Sequence, residues 1–182
     1  LIPFLLVVLN LNTTAQAQVT TVAVLSGGLP IGTAIKGSNL YVSDYTGSKI
    51  VKIDLTQPFP VTPVTVLNNI TSPTGLLVIG DYLYFNTEGS IPGLGTARSA
   101  RINLTNPTPA IEQVLSNIID DAQAYARVGD TLYISSANNG IFRVLLSQPF
   151  PQAGVQISNQ KASGLALRGN ELYYGLYSGD KV

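Results

Sequence analysis

The chain repeats itself. Residues 32–41, 75–84, 124–133 and 164–173 each run from a small residue through a short strand-like stretch to a glycine and then a Leu-Tyr pair. The leucines of those pairs, Leu40, Leu83, Leu132 and Leu172, are 43, 49 and 40 residues apart, a period of roughly 44. Such a period constrains the fold more than any composition figure. Every unit must be the same supersecondary element, and it must bury its apolar face against the next copy.

Each unit divides into short strands separated by turn chemistry. Gly37, Gly80, Gly129 and Gly169 open tight turns in which glycine accepts a positive φ without a Cβ clash. A second hairpin turn is expected at Thr46-Gly47-Ser48 and again at Ser178-Gly179-Asp180. Third strands are predicted over residues 49–55, 101–104 and 141–146. Proline-rich connections at 57–60, 106–109 and 148–151 follow, and then fourth strands such as residues 64–67. Inner strands are expected to start near 32, 75, 124 and 164 and to be buried on both sides, since they lack polar alternation. Four antiparallel strands per unit predict an all-β chain, a β-propeller of four-stranded blades. About 3.7 blades are present, where closed propellers typically have four to eight. The expected whole is a six-bladed ring. A four-bladed ring, closed by residues 22–25 as an orphan fourth strand, is the other possibility.

Composition narrows the chemistry. Cys, His, Met and Trp are all absent, so thiolate nucleophiles, imidazole bases, Cys/His zinc sites and disulfides are excluded. Ten basic and ten acidic residues give no net charge and no electrostatic footprint for nucleic acid. Residues 1–11 are an apolar run too short to span a bilayer. A small-residue Ala15-x-Ala17 site follows, so residues 1–17 read as an N-terminally clipped signal peptide and 18–182 as the partial propeller domain. The expected location is secreted, periplasmic or cell-surface, in a bacterial exported protein.

Residues 72–86 (SPTGLLVIGDYLYFN) and 39–55 (NLYVSDYTGSKIVKIDL) resemble repeats of exported six-bladed propellers of the NHL, TolB-like and SMP-30/gluconolactonase-like grouping. The similarity is greatest to bacteroidete proteins bearing a type IX secretion sorting domain, and it covers residues 19–182. The resemblance implies either a binding or scaffold module or a sugar-lactone hydrolase using a divalent metal. Against the hydrolase, Leu29-Pro30-Ile31-Gly32 stands where those enzymes carry Glu-Gly-Pro.

Candidate site residues converge on one edge of the ring. There the start of each inner strand meets the turn between strands two and three, and loops on a rigid scaffold commonly carry function. Residues 88–96 lengthen one such turn and bring Glu88, as a ligand-contacting loop or a tolerated surface insertion. Asp120 and Asp121 open the third inner strand. They are candidate ligands for Ca²⁺ or another divalent cation, although one acidic pair supplies too few of its six to eight oxygens. Asp44 ends a second strand, either to bond turn amides or to act in a site. Arg127 occupies a column otherwise filled by Ile35, Val78 and Leu167; it either projects into the channel towards an anionic ligand or pairs with Asp121 or Asp130. The periodic tyrosines Tyr41, Tyr84, Tyr133 and Tyr173 are assigned to packing between blades. No cofactor is required by these residues. The partner is expected to be a protein or a small-molecule or carbohydrate ligand, with no nucleic acid and no membrane span.

Overall fold

The computed structural model describes residues 4–10, 18–117 and 119–177. Among them every element is a strand. A hairpin of β1 (Phe4–Asn10) and β2 (Gln18–Leu25) comes first. Blade 1 is the meander β3 (Pro30–Lys36), β4 (Asn39–Asp44), β5 (Lys49–Asp54) and β6 (Val64–Leu67). Blade 2 is β7 (Pro73–Ile79), β8 (Tyr82–Thr87), β9 (Ser99–Asn103) and the two-residue β10 (Glu112–Gln113). Blade 3 is β11 (Ala122–Val128), β12 (Thr131–Ser136), β13 (Gly140–Leu145) and β14 (Val155–Ser158). Two strands of a fourth blade, β15 (Ala162–Arg168) and β16 (Glu171–Leu176), complete the described residues. All pairings within these sheets are antiparallel, and the architecture is part of a β-propeller.

The meander forms where turn chemistry dictates. Gly37, Gly80, Gly129 and Gly169 sit at φ between 54° and 57°, the left-handed region that glycine enters freely. The hydrophobic core lies between sheets. One layer joins Val22, Ala23 and Leu25 to Leu40, Val42, Val51 and Ile53 of blade 1. A second joins Ile50 and Tyr41 of blade 1 to Leu83, Phe85 and Ile102 of blade 2, and a third joins Tyr84 to Tyr125, Ile134 and Phe142 of blade 3. Leu83 and Phe85 thus face one neighbour while Tyr84 faces the other, as period-two side chains must.

Two expectations shift. Inner strands begin two residues earlier than the glycine pattern suggested, because each carries a β-bulge near its start. Burial on both faces belongs to the second strands β4 and β8, whose residues after the first are all buried. Inner strand β3 instead leaves Ile31 and Ile35 51% and 61% exposed. Strand β2 packs on β4 and β5 through Val22, Ala23 and Leu25, and β3 keeps its exposed isoleucines. The residues read as an export signal form β1 over 4–10, while the Ala15-x-Ala17 site and the turn at 178–180 lie outside the described residues.

At the bulges, adjacent inner strands come close. A Cβ added to Gly32 would lie 2.2 Å from the Thr74 carbonyl oxygen, and one added to Gly75 would lie 2.2 Å from that of Gln123. A Cβ at Gly164 would meet nothing within 4 Å. Gly75→Ala is therefore expected to destabilise by about 1–3 kcal/mol through overpacking, with Gly164→Ala nearly neutral. Scanning calorimetry of both variants checks this, and equal effects would refute it.

Candidate functional site

The edge that carries the site is defined by one backbone bond in every blade. The amides of Tyr45, Glu88, Ala137 and Tyr177, each just beyond a second strand, donate to the carbonyls of Leu29, Ser72, Asp121 and Lys161 at 2.9–3.1 Å. Starts of inner strands and turns after second strands therefore share one rim. Side chains ending the second strands brace it. Asp44, 1% exposed, accepts from the Leu29 amide at 3.1 Å and the Gly47 amide at 2.9 Å, and Lys49 Nζ stands 3.6 Å away. Ser136 fills the same place in blade 3, accepting from Asn138 and Asn139 amides at 3.1 and 2.8 Å and donating to the Asp120 carbonyl at 2.5 Å. Asp44 is a turn brace.

Glu88 stands where blades 1 and 4 carry Tyr45 and Tyr177, and it is the hub of a chain of hydrogen bonds across three blades. Tyr45 Oη of blade 1 donates to Glu88 Oε2 at 2.5 Å, Gln123 Nε2 of blade 3 donates to Glu88 Oε1 at 3.0 Å, and Gln123 also bonds Asp121 Oδ1. Burial, above all, raises the Asp121 carboxyl above its ordinary value; Gln123 opposes this, while the Glu88 and Asp120 charges add to it. The phenol of Tyr45 is raised chiefly by its bond to Glu88. Asp121 is further held at φ 55°, like Ser72 at 51° in the same blade position. The geometry is a pre-ordered acidic mouth that draws on three blades.

The other residues fall elsewhere. Asp120 turns to its own blade, where Asn138 Nδ2 donates to its Oδ2 at 3.2 Å, so the adjacent carboxylates diverge instead of sharing a cation. Among the described residues no three acidic side chains are placed to hold a metal ion. Arg127 is exposed and bonds the Gly129 carbonyl at 2.8 Å, pairing with neither Asp121 nor Asp130. It lies six residues along an extended strand from Asp121, about 20 Å, at the opposite end of β11. The insertion at 88–96 is packed: Ile91 is 1% exposed and Leu94 joins the core between blades 1 and 2. Sequence reasoning missed Tyr45 and Gln123, although Glu88's departure from tyrosine at a repeat position was there to be read. It also missed Asn86, fully buried with neither side-chain amide atom hydrogen-bonded, where Ser43 and Ser135 bond the Gly32 and Ala124 amides.

No known family profile matches this chain, and no curated protein matches it in sequence. Solved structures do. It is similar to the computationally designed Ika4 protein at 9% identity and TM-score 0.62, covering 86% of this chain and 92% of that one. It is similar to catalytically inactive virginiamycin B lyase from Staphylococcus aureus, solved with quinupristin, at 14% identity and TM-score 0.62, covering 91% of this chain and 54% of the lyase. Glutaminyl cyclase from Myxococcus xanthus is similar at 12% identity and TM-score 0.53, with 88% and 72% covered. The chain thus spans about half of the lyase. The lyase and the cyclase are β-propellers, and that is the class these residues define. At such identities the likeness carries the fold alone.

Asp44 and Asp121 are expected to respond oppositely to loss of charge. Asp44→Ala removes the acceptor of the Leu29 and Gly47 amides and is expected to cost about 1–3 kcal/mol. Asp121 has a raised folded-state pKa, so its ionised form weakens the fold, and that penalty sets in as pH rises through the carboxyl range. Asp121→Asn is therefore expected to raise Tm at pH 7, with the gain vanishing below about pH 4. Thermal unfolding from pH 3 to 8 checks both, and an Asp121→Asn gain independent of pH would overturn the assignment.

Proposed function

We propose that this chain belongs to an exported, non-catalytic propeller, six-bladed when complete, that acts as a binding or scaffold module. Its site is the acidic mouth around Glu88 and Asp121, which takes a positively charged group of a protein, carbohydrate or small-molecule partner. The observation that carries the reading is the bond chain Tyr45–Glu88–Gln123–Asp121, which draws side chains from three blades and fixes two carboxylates side by side. A field of one sign on a rigid rim favours ligands of the other. Export rests on the apolar N-terminal run. No helix among the described residues is long and apolar enough to cross a membrane. The resemblance to NHL, TolB-like and sorting-domain propellers supports the same reading.

One observation favours a second reading, a metal-dependent sugar-lactone hydrolase of SMP-30/gluconolactonase type: Glu88 and Asp121 approach each other as two ligands of a cation would. Native-state ligands raise stability by mass action, so unfolding with and without millimolar Ca²⁺, Mg²⁺ or Mn²⁺ separates the two. The binding module is expected to show no metal-dependent shift. It is also expected to retain Lys- and Arg-containing peptides about tenfold more weakly after Glu88→Gln and Asp121→Asn together. A clear rise in Tm with metal, followed by lactone turnover, would put the hydrolase in its place.

A further inference from the structure

The repeat supplies its own template for a second site, on the outer half of the blades. Each of the first three blades sets a tyrosine of its second strand opposite a basic residue of its third: Tyr41 and Lys52, Tyr84 and Arg101, Tyr133 and Arg143. Between blades 2 and 3 this pair is capped by Phe150, from the proline-rich loop of blade 3. Its ring meets Tyr84 edge-on, with centroids 6.4 Å apart, and lies 4.5 Å from the Arg101 guanidinium. Arg101 is also bonded to Glu112 at 2.8 and 2.7 Å and to Tyr84 Oη at 3.2 Å. Ring, cation, carboxylate and phenol thus form a closed set.

Between blades 1 and 2 half of that set is missing. The loop of blade 2 places Thr108 where blade 3 has Phe150, and Thr108 is exposed. Glu112, which pairs with Arg101 across the ladder, corresponds to Val64 opposite Lys52, and Val64 is 59% exposed. Lys52 forms no salt bridge among the described residues, and Tyr41 Oη no hydrogen bond. What remains is a groove of about 230 Å³ lined by Tyr41, Lys52, Val64, Leu104, Pro107 and Pro109. A cavity of about 150 Å³ accepts benzene.

We propose that this groove binds a small aromatic carboxylate. The ring takes the place that Phe150 fills one blade on, edge-on to Tyr41. The carboxylate takes the place of Glu112, on Lys52 Nζ, with Tyr41 Oη donating a hydrogen bond to it. An aromatic ring beside a tyrosine and a cation gains from both contacts, and a charge-assisted hydrogen bond fixes its orientation. The site lies away from the acidic mouth and does not depend on what the mouth binds.

Phenylacetate is the probe, with benzyl alcohol and cyclohexylacetate as controls lacking the charge and the aromatic ring. Titrations of the chain followed by NMR chemical shifts are expected to show phenylacetate binding at least about tenfold tighter than either control. Lys52→Met keeps the aliphatic stem and removes the charge; it is expected to reduce phenylacetate to the level of benzyl alcohol. Thr108→Phe restores the residue of blade 3, and it is expected to abolish binding while raising Tm as the groove fills. Unchanged affinity in either variant, or no preference for phenylacetate over the controls, would overturn the proposal.

Discussion

The close approach of neighbouring inner strands is the constraint from which the rest of this structure follows. Where Gly32 faces the Thr74 carbonyl and Gly75 faces that of Gln123, there is no room for a side chain. Blades can therefore converge at the channel and fan outward, opening space for larger residues with distance from the axis. Leu83, Phe85 and Tyr84 fill that space on alternate faces of one strand. Because each apolar layer is shared by two sheets, no blade owns a core. Stability then accumulates as a sum of contacts between neighbours, as in other stacked-repeat proteins.

Much of this was legible in the sequence. The Leu-Tyr period gave the number and kind of strands, and the turn glycines gave the hairpins, since both are local effects of side-chain alternation and of positive φ. The bulges were not legible, because a bulge reflects the approach of another strand some 40 residues away. Nor was burial. A Lys at position 36 and a Ser at position 43 look alike as polar residues in a strand. Yet Ser43 is fully buried and donates to the Thr74 carbonyl at 2.6 Å, while Lys36 reaches Asp81 across the blade boundary at the surface.

The acidic mouth shows the same limit from the functional side. Adjacency along the chain suggested Asp120 and Asp121 as partners, but the two lie in a bend with Asp121 at φ 55°, and the Asp120 carboxylate turns to Asn138 of its own blade. The carboxylate that meets Asp121 comes instead from Glu88, one blade earlier, and only the ring geometry brings them together. Asp44, which looked equivalent in sequence, is consumed by the amides of its own turn. In a repeat protein, the residues that break the period at a fixed position are better guides to a site than residues that cluster in sequence.

The connections that follow the third strands of blades 1 and 3 reach in one direction. That of blade 1 bonds backward, Val61 amide to the Val22 carbonyl at 2.8 Å; that of blade 3 bonds backward too, with Gln152 exchanging bonds with Val114 and Ser116 at 3.0 and 2.8 Å. The β2 strand and blade 2 are thus each fastened by the blade translated after them. A chain folding from its N-terminus would therefore hold each of these sheets unlatched until the following blade had formed.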